Sequence, residues 1–328
     1  MLPRRSLLIH SLAAVLALPS PALAQGAADN FPTKPVTIIV PFTPGQSGDV
    51  LARVLADGLT KLWGKAVIVD NKGGSGGTVG SKIAAAAAAD GYTLLLGSSG
   101  PMAIAPNLYK NTGYDPRKDF TPIMNVAGVA QLLVVPAESK YKTVAEFVAG
   151  AKAAPGKLSY GSGGAGSTQH LTMEMFKQRA GVHILHVPYR GSAPAYTDMF
   201  GGQIDALFDS QPGVLPFIAS GKARVLAVST PKRVPSLPDI PTLAESGYPG
   251  FDVLGWLGIV APKGLDPAIR NKINADLKKV MATDEVKARF ATLGMLPVGG
   301  SPEDFATYLD SELKKWGAVI KTGSIAVE

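Results

Sequence analysis

The chain has 328 residues, no cysteine and a formal net charge of +7. Without cysteine there is no disulfide, no thiolate metal site and no cysteine nucleophile. The basic residues are scattered, with no Lys/Arg block and little interleaved aromatic character, which argues against nucleic acid as a partner. A mild positive field either aids solubility or draws small anions.

The N-terminus reads as an export segment. Arg4 and Arg5 precede an apolar run from Leu7 to Leu18, then Pro19 and Pro21, then Ala22-Leu23-Ala24. That is the charged, apolar and small-residue order of a secretory signal, and the run is too short to anchor in a bilayer. Arg4-Arg5-Ser-Leu-Leu also loosely fits a twin-arginine signal, so both export routes stay open. Cleavage after about Ala24 is expected, giving a soluble periplasmic chain that starts near Gln25. Losing Arg4 and Arg5 lowers the charge from +7 to +5. Roughly 300 residues remain, a length that suggests two domains.

Strand and helix signals then alternate. VTIIVPF (Val36 to Phe42) reads as a buried strand, followed by a Gly/Ser loop and a helix from about Asp49 to Leu62. AVIVDN and YTLLLG are strands, with helices through Ser81–Ala89 and Ala103–Tyr109. In the middle, strands are expected at Gln131–Val135, Leu158–Gly161, Ile184–Val187, Ile204–Phe208 and Arg224–Ser229. Helices are expected at Val144–Ala153, Thr168–Arg179, Ala193–Phe200 and Val214–Ser220. Asp266-Pro267 and Ser301-Pro302 each open a C-terminal helix with a capping side chain and a proline at the first position. Such βα alternation predicts mostly parallel sheets flanked by helices. Two apolar stretches, Ile123 to Val135 and Phe251 to Ala261, are long enough to cross between domains. The expected layout is lobe 1 from residues 25–124 and 251–328, and lobe 2 from residues 125–250, with a cleft between.

Four glycine-rich loops sit where a strand feeds a helix: Pro41–Asp49, Gly97–Met102, Gly161–Thr168 and Pro188–Ala195. A helix start presents unpaired N–H groups and the positive end of its dipole. Glycine lets a ligand approach that backbone, and Ser and Thr add hydroxyl donors. Such turns favour a carboxylate, sulfate or phosphate. Ordinary capping explains any one loop; four converging loops favour a ligand.

Other motifs are weaker. Gly161-x-Gly163-x-x-Gly166 matches a dinucleotide fingerprint, but the next strand ends in Pro188-Tyr189-Arg190-Gly191 instead of an acid. Arg190 would suit a phosphorylated ribose, yet export removes the chain from the dinucleotide pool. Gly73-x-Ser75-x-Gly77 matches a nucleophile elbow, but its neighbours are glycines and not a bulky strand. Of four histidines, His10 lies in the export segment. His170, in the first turn of a helix, is either a ligand contact or a packed residue, while His183 and His186 read as structural. No HExxH-type spacing suggests a metal, and no cofactor is expected. Asp49 and Arg53 read as an i,i+4 pair. Asp209, beside Ser210 at a strand end, is placed to accept from a ligand or to cap a turn.

PFTPGQSGDVLAR, VDNKGGSGGTVGSKIAAAAAADGYTLLLG, APNLY, YGSGGAGSTQHLTMEMF, HVPYRGSAPAYTDMFGGQIDALFD and IPTLAESGYPGF occur here in order. Together they resemble the Bug family, the extracytoplasmic solute receptors of tripartite tricarboxylate transporters. The resemblance covers essentially all of the mature chain. It implies an α/β, two-lobed periplasmic-binding-protein fold of the type II, Venus-flytrap kind, with two crossover strands. The implied ligand is a small organic carboxylate: a di- or tricarboxylate, an acidic amino acid or an aromatic acid. The implied partner is a membrane permease of the tripartite system, and a monomer is the implied state. Carried onto this chain, lobe 1 would offer Phe42, Gly45, Ser47, Asp49, Ser98 and Ser99. Lobe 2 would offer Ser162, Gly163, Ser167, Thr168, His170, Tyr189, Arg190 and Asp209. Phe42 and Tyr189 would wall the ligand's apolar body. The first loop of the family commonly reads Pro-x-Gly-Gly; here Gln46 adds a side-chain donor and acceptor, which bears on ligand choice.

Two other readings remain open on the sequence. One is a ligand-sensing subunit of a membrane signalling system. The other is a secreted hydrolase using Ser75 or another loop serine with His170, although no serine–histidine–acid arrangement is laid out.

Overall fold

A computed structural model gives the fold of residues 30–322 and residue 325. The expected export segment, residues 1–24, and the expected start at Gln25 lie outside these residues. β1 (Val36–Val40), β2 (Val67–Asn71) and β3 (Thr93–Ser98) pair in parallel and alternate with α1 (Ser47–Trp63) and α2 (Thr78–Ala85). A π-helical turn, Gly100–Ile104, then leads into α3 (Ala105–Leu108) and α4 (Pro116–Asp119).

β4 (Phe120–Pro136) opens the second half. It is followed by α5 (Val144–Ala153), β5 (Ser159–Ser162), α6 (Thr168–Ala180), β6 (Leu185–Pro188) and α7 (Ser192–Phe200). β7 (Ala206–Ser210), α8 (Gln211–Ala219) and β8 (Ala223–Val228) complete it. β9 (Leu254–Pro262), α9 (Pro267–Ala282), α10 (Asp284–Leu293), β10 (Met295–Gly299) and α11 (Pro302–Thr322) return the chain to the first half.

The strand order is β2-β1-β3-β9-β4-β7-β5-β6, with β8 and β10 also paired to β4. β5 pairs with β6 and β7 in parallel, as the alternation predicts. All antiparallel pairing involves β4 or β9. β4 pairs with β9 up to Ala130, then with β7 from Gln131 onward. The two halves are therefore two ladders sharing one strand. Ile123 to Val135 is buried without interruption, because helices cover both faces; hence the stretch shows no polar alternation. β9 pairs only with β3 and β4, and the chain just before it bonds to the second half through Val253 N–H to the Ser229 carbonyl, 3.0 Å.

Packing, and not capping, holds α1. Leu51, Leu55 and Leu59 are fully buried on one face, each contributing about 2 kcal/mol. Gly64 ends the helix in the left-handed conformation at φ 61°, which glycine adopts without steric cost. The N-cap residue, Gln46, makes no side-chain cap bond. Asp49 does related work one turn on, accepting from Gly45 N–H at 2.9 Å and pairing with Arg53 at 2.9 Å. Gln46 is thereby released for another role.

Candidate functional site

A cavity of about 60 Å³ lies where the two halves meet. Phe42, Gln46 and Ser47, from the β1–α1 loop, and Ser98, at the end of β3, form one wall. Gly163, Ser167, Thr168 and Gln169, from the β5–α6 loop, form the opposite wall with Asp209 and Ser210 at the end of β7. Val129 and Gln131 of β4, with Gly255, Trp256 and Leu257 of β9, close it. The amino ends of α1, α6 and α8 thus border one space, from both halves of the chain. Their free N–H groups and dipoles favour a negative charge there. Among the described residues lining the cavity there is no lysine or arginine, and Asp209 is the single acid.

One hydrogen-bond network spans the cavity. Gly163 N–H donates to Gln169 Oε1, so the Gln169 Nε2 group turns to Ser192 Oγ at 2.7 Å and to Asp209 Oδ1. From the other half, Gln46 Nε2 donates to the same Ser192 Oγ at 2.8 Å. Burial raises the Asp209 pKa; bonds from Ser192, Gln169, the Ser210 N–H and Tyr196 oppose that rise. Asp209 is 2% exposed, and amide and hydroxyl dipoles surround it instead of a cation.

Five buried polar atoms on lining residues have no partner: Gln46 Oε1, Gln131 Oε1, Ser98 Oγ, Asp209 Oδ2 and Trp256 Nε1. Buried polar groups are normally bonded, so this group of orphans facing one cavity points to a ligand that supplies the missing bonds.

The β5–α6 loop rests on a stacked histidine pair, His170 buried and His186 half-buried. His170 and His186 stack at 4.2 Å between ring centroids, and Tyr160 stacks on His186. His170 Nδ1 accepts from Gly166 N–H at 3.2 Å, and His186 Nε2 bonds Ser162 Oγ at 2.7 Å. Burial, with Lys177 adding to it, lowers His170 to about 4. Burial also lowers His186 to about 3, with His170 and Lys177 adding and Glu174 opposing. Both rings are neutral scaffolding near pH 7.

Of the residues expected from the sequence, Phe42, Gln46, Ser47, Ser98, Gly163, Ser167, Thr168 and Asp209 line the cavity. The others do not. Gly45 and Asp49 bond each other at the start of α1; burial raises the Asp49 pKa, but bonds from Arg53 and Gly45 outweigh it and hold it low. Ser99 Oγ accepts from Trp256 N–H at 3.1 Å. Ser162 and His170 sit beneath the loop. Tyr189 donates its hydroxyl to Asp198 at 2.7 Å and lies with Arg190 in a separate groove. Ser75 lines that groove too, at φ 45°, while His170 is occupied by Gly166. The loop Pro188–Ala195 therefore reaches the site only through Ser192.

Sequence reasoning missed Gln131, Gln169, Gly255 and Trp256. Gln169 carried a usable signal: it is the second residue of a helix whose amino end faces the cleft. Gln131 carried one as well, as one of two polar residues, with Asn125, in the apolar run Ile123 to Val135.

Residues 51–325 match the model of the tripartite tricarboxylate transporter family receptor. The chain is 38% identical over 299 residues to protein BugT of Bordetella pertussis, covering 91% of this chain and 92% of that one. It superposes on R. palustris Rpa4515 with adipate at TM-score 0.88 and 38% identity, covering 90% of this chain and 99% of that one. MatC from Rhodopseudomonas palustris with bound malate superposes at TM-score 0.84 and 30% identity, covering 88% and 100%. Among the described residues no helix is long and apolar enough to cross a membrane. With its two-lobed periplasmic-binding-protein fold, the chain belongs to the tripartite tricarboxylate transporter receptor family, which includes the Bug proteins.

Proposed function

We propose that this chain is an extracytoplasmic receptor that captures a small organic carboxylate between its lobes and delivers it to the permease subunits of a tripartite transporter. One observation carries the reading: helix amino ends from both halves border one cavity that has unsatisfied polar atoms and no fixed cation. Such a site neutralises a carboxylate with amides and hydroxyls, each charge-assisted bond contributing roughly 1.5–3 kcal/mol. The similar proteins Rpa4515, with adipate, and MatC, with bound malate, support the ligand class.

The grip needs both lobes, so binding and closure are coupled. Contacts between the halves support this coupling. Gln46 reaches Ser192, and the Tyr109 hydroxyl donates to the Ala165 carbonyl at 2.9 Å. Gly76 lies so near Ala165 that an added Cβ would sit 2.4 Å from its carbonyl oxygen. The lobes would divide near residues 125 and 251, hinging on β4 and on the segment before β9. The protein would act by binding, without chemical turnover.

Thermal unfolding in the presence of short mono-, di- and hydroxycarboxylic acids tests the reading. At least one acid should raise the melting temperature in proportion to the logarithm of its concentration. A flat response to all of them at millimolar levels would overturn it.

A further inference from the structure

Gln46 enters the cavity wall in a fixed orientation. Gly163 N–H can only donate, so the amide oxygen of Gln169 faces it and its Nε2 faces Ser192 and Asp209. Ser192 Oγ accepts from Gln169 Nε2 at 2.7 Å and from Gln46 Nε2 at 2.8 Å, so Gln46 donates through its amide nitrogen. That places Gln46 Oε1, buried and unpartnered, on the cavity wall. Gln131 is oriented in the same way. Its Nε2 faces the Val129 carbonyl at 3.5 Å, and its Oε1 is left buried and unpartnered. Gln131 is only 3% exposed.

We propose that Gln46 and Gln131 form an acceptor subsite, selecting a carboxylate whose body also carries an N–H or O–H donor: a hydroxy or amide monocarboxylate in preference to a plain diacid. The inference rests on the carboxylate-receptor reading and narrows it. One carboxylate is served by the helix amino ends. The unpartnered Trp256 Nε1–H and Ser98 hydroxyl can serve that first carboxylate, whereas a second one at Gln46 and Gln131 would be an acceptor facing acceptors, beside Asp209 and with no lysine or arginine on the wall. It would leave both amide oxygens unpaired and add repulsion. A hydroxyl or amide N–H in the same place satisfies an oxygen that is otherwise orphaned. Sites built to bond a ligand's hydroxyl or N–H discriminate strongly against analogues that lack it. Gln46 is tied across the cleft, so its oxygen is held in place only while the two halves touch.

Calorimetry on the full mature chain tests this with acids of one carbon length in four forms: the plain monoacid, the diacid, the ω-hydroxy acid and the ω-amide. The expected result is that the hydroxy or amide acid binds at least tenfold tighter than the diacid of equal length. Gln46→Met, which keeps the side chain's reach and removes its amide, should bring that ratio to within about threefold of one. A diacid that binds as well as its hydroxy and amide analogues overturns this inference and leaves the carboxylate reading standing. So does a full preference retained in Gln46→Met. Binding of no acid at any chain length overturns both.

Discussion

The β1–α1 and β5–α6 loops are alike in sequence and unlike in support. Both are glycine-rich, both end at a helix start, and both face the cavity. The β5–α6 loop is held by its own half: Gln169 holds Gly163, buried His170 holds Gly166, and half-buried His186 holds Ser162. The β1–α1 loop is exposed at Pro44 and Gly45 and is braced by Asp49. Its glutamine is tied only to Ser192 on the opposite side. One local signal thus yields a prebuilt wall and a wall completed by its counterpart. Pre-organisation is concentrated on one side, and the ordering cost of binding falls on the other.

Gln169→Ala is the strongest way to break that contrast. It strips partners from the Gly163 N–H and from buried Asp209, and should cost about 3 kcal/mol in urea unfolding. A loss under about 1 kcal/mol would mean that the second loop is not held from below. Acid supplies a second test. His170 and His186 have folded-state values of about 4 and 3, below the ordinary 6.5. Between those values and 6.5 the unfolded chain binds more protons, so stability falls as pH drops. Their contribution is intact above about pH 6.5 and is lost progressively toward pH 4. Melting temperature should follow that course, and His170→Asn should flatten part of it; a wild-type curve that is level from pH 7 to 4 breaks the contrast.

Asp49→Ala tests the first loop. It removes the bond to Gly45 N–H and the exposed Arg53 pair, for an expected loss of about 1 kcal/mol in the same urea assay. A loss larger than that of Gln169→Ala would reverse the asymmetry. The smallest effect is expected from Tyr109→Phe, which deletes one bond between the halves. Ligand affinity by calorimetry should fall about threefold, and the unliganded melting temperature should barely move. An unchanged affinity would remove this bond from the closure contacts.

Much of the fold was legible because alternating strand and helix signals are local. β1 through α2 and β5 through α8 follow their apolar periods, and Ser167 caps α6. The antiparallel returns were less legible: pairing direction is set by where β4 and β9 run, and nothing local in Ile123 to Val135 encodes that. At the site, four glycine-rich loops were readable as anion turns, and three of them supply residues that line the cavity. Tyr189 and Arg190 were expected there because the family resemblance implied it, yet Asp198 holds the Tyr189 hydroxyl in another groove. Trp256 and Gln131 lie within strands that read as core, and only the junction of two ladders turns them toward a ligand.

That junction has a mechanical consequence. β4 changes partners between Ala130 and Gln131. If one ladder were to swing against the other, the shared strand would flex near this fulcrum, beside Gln131 of the cavity wall. Cargo touching that point would have almost no lever arm, so any leverage for such a swing would come from contacts farther out, such as Gln46 on Ser192.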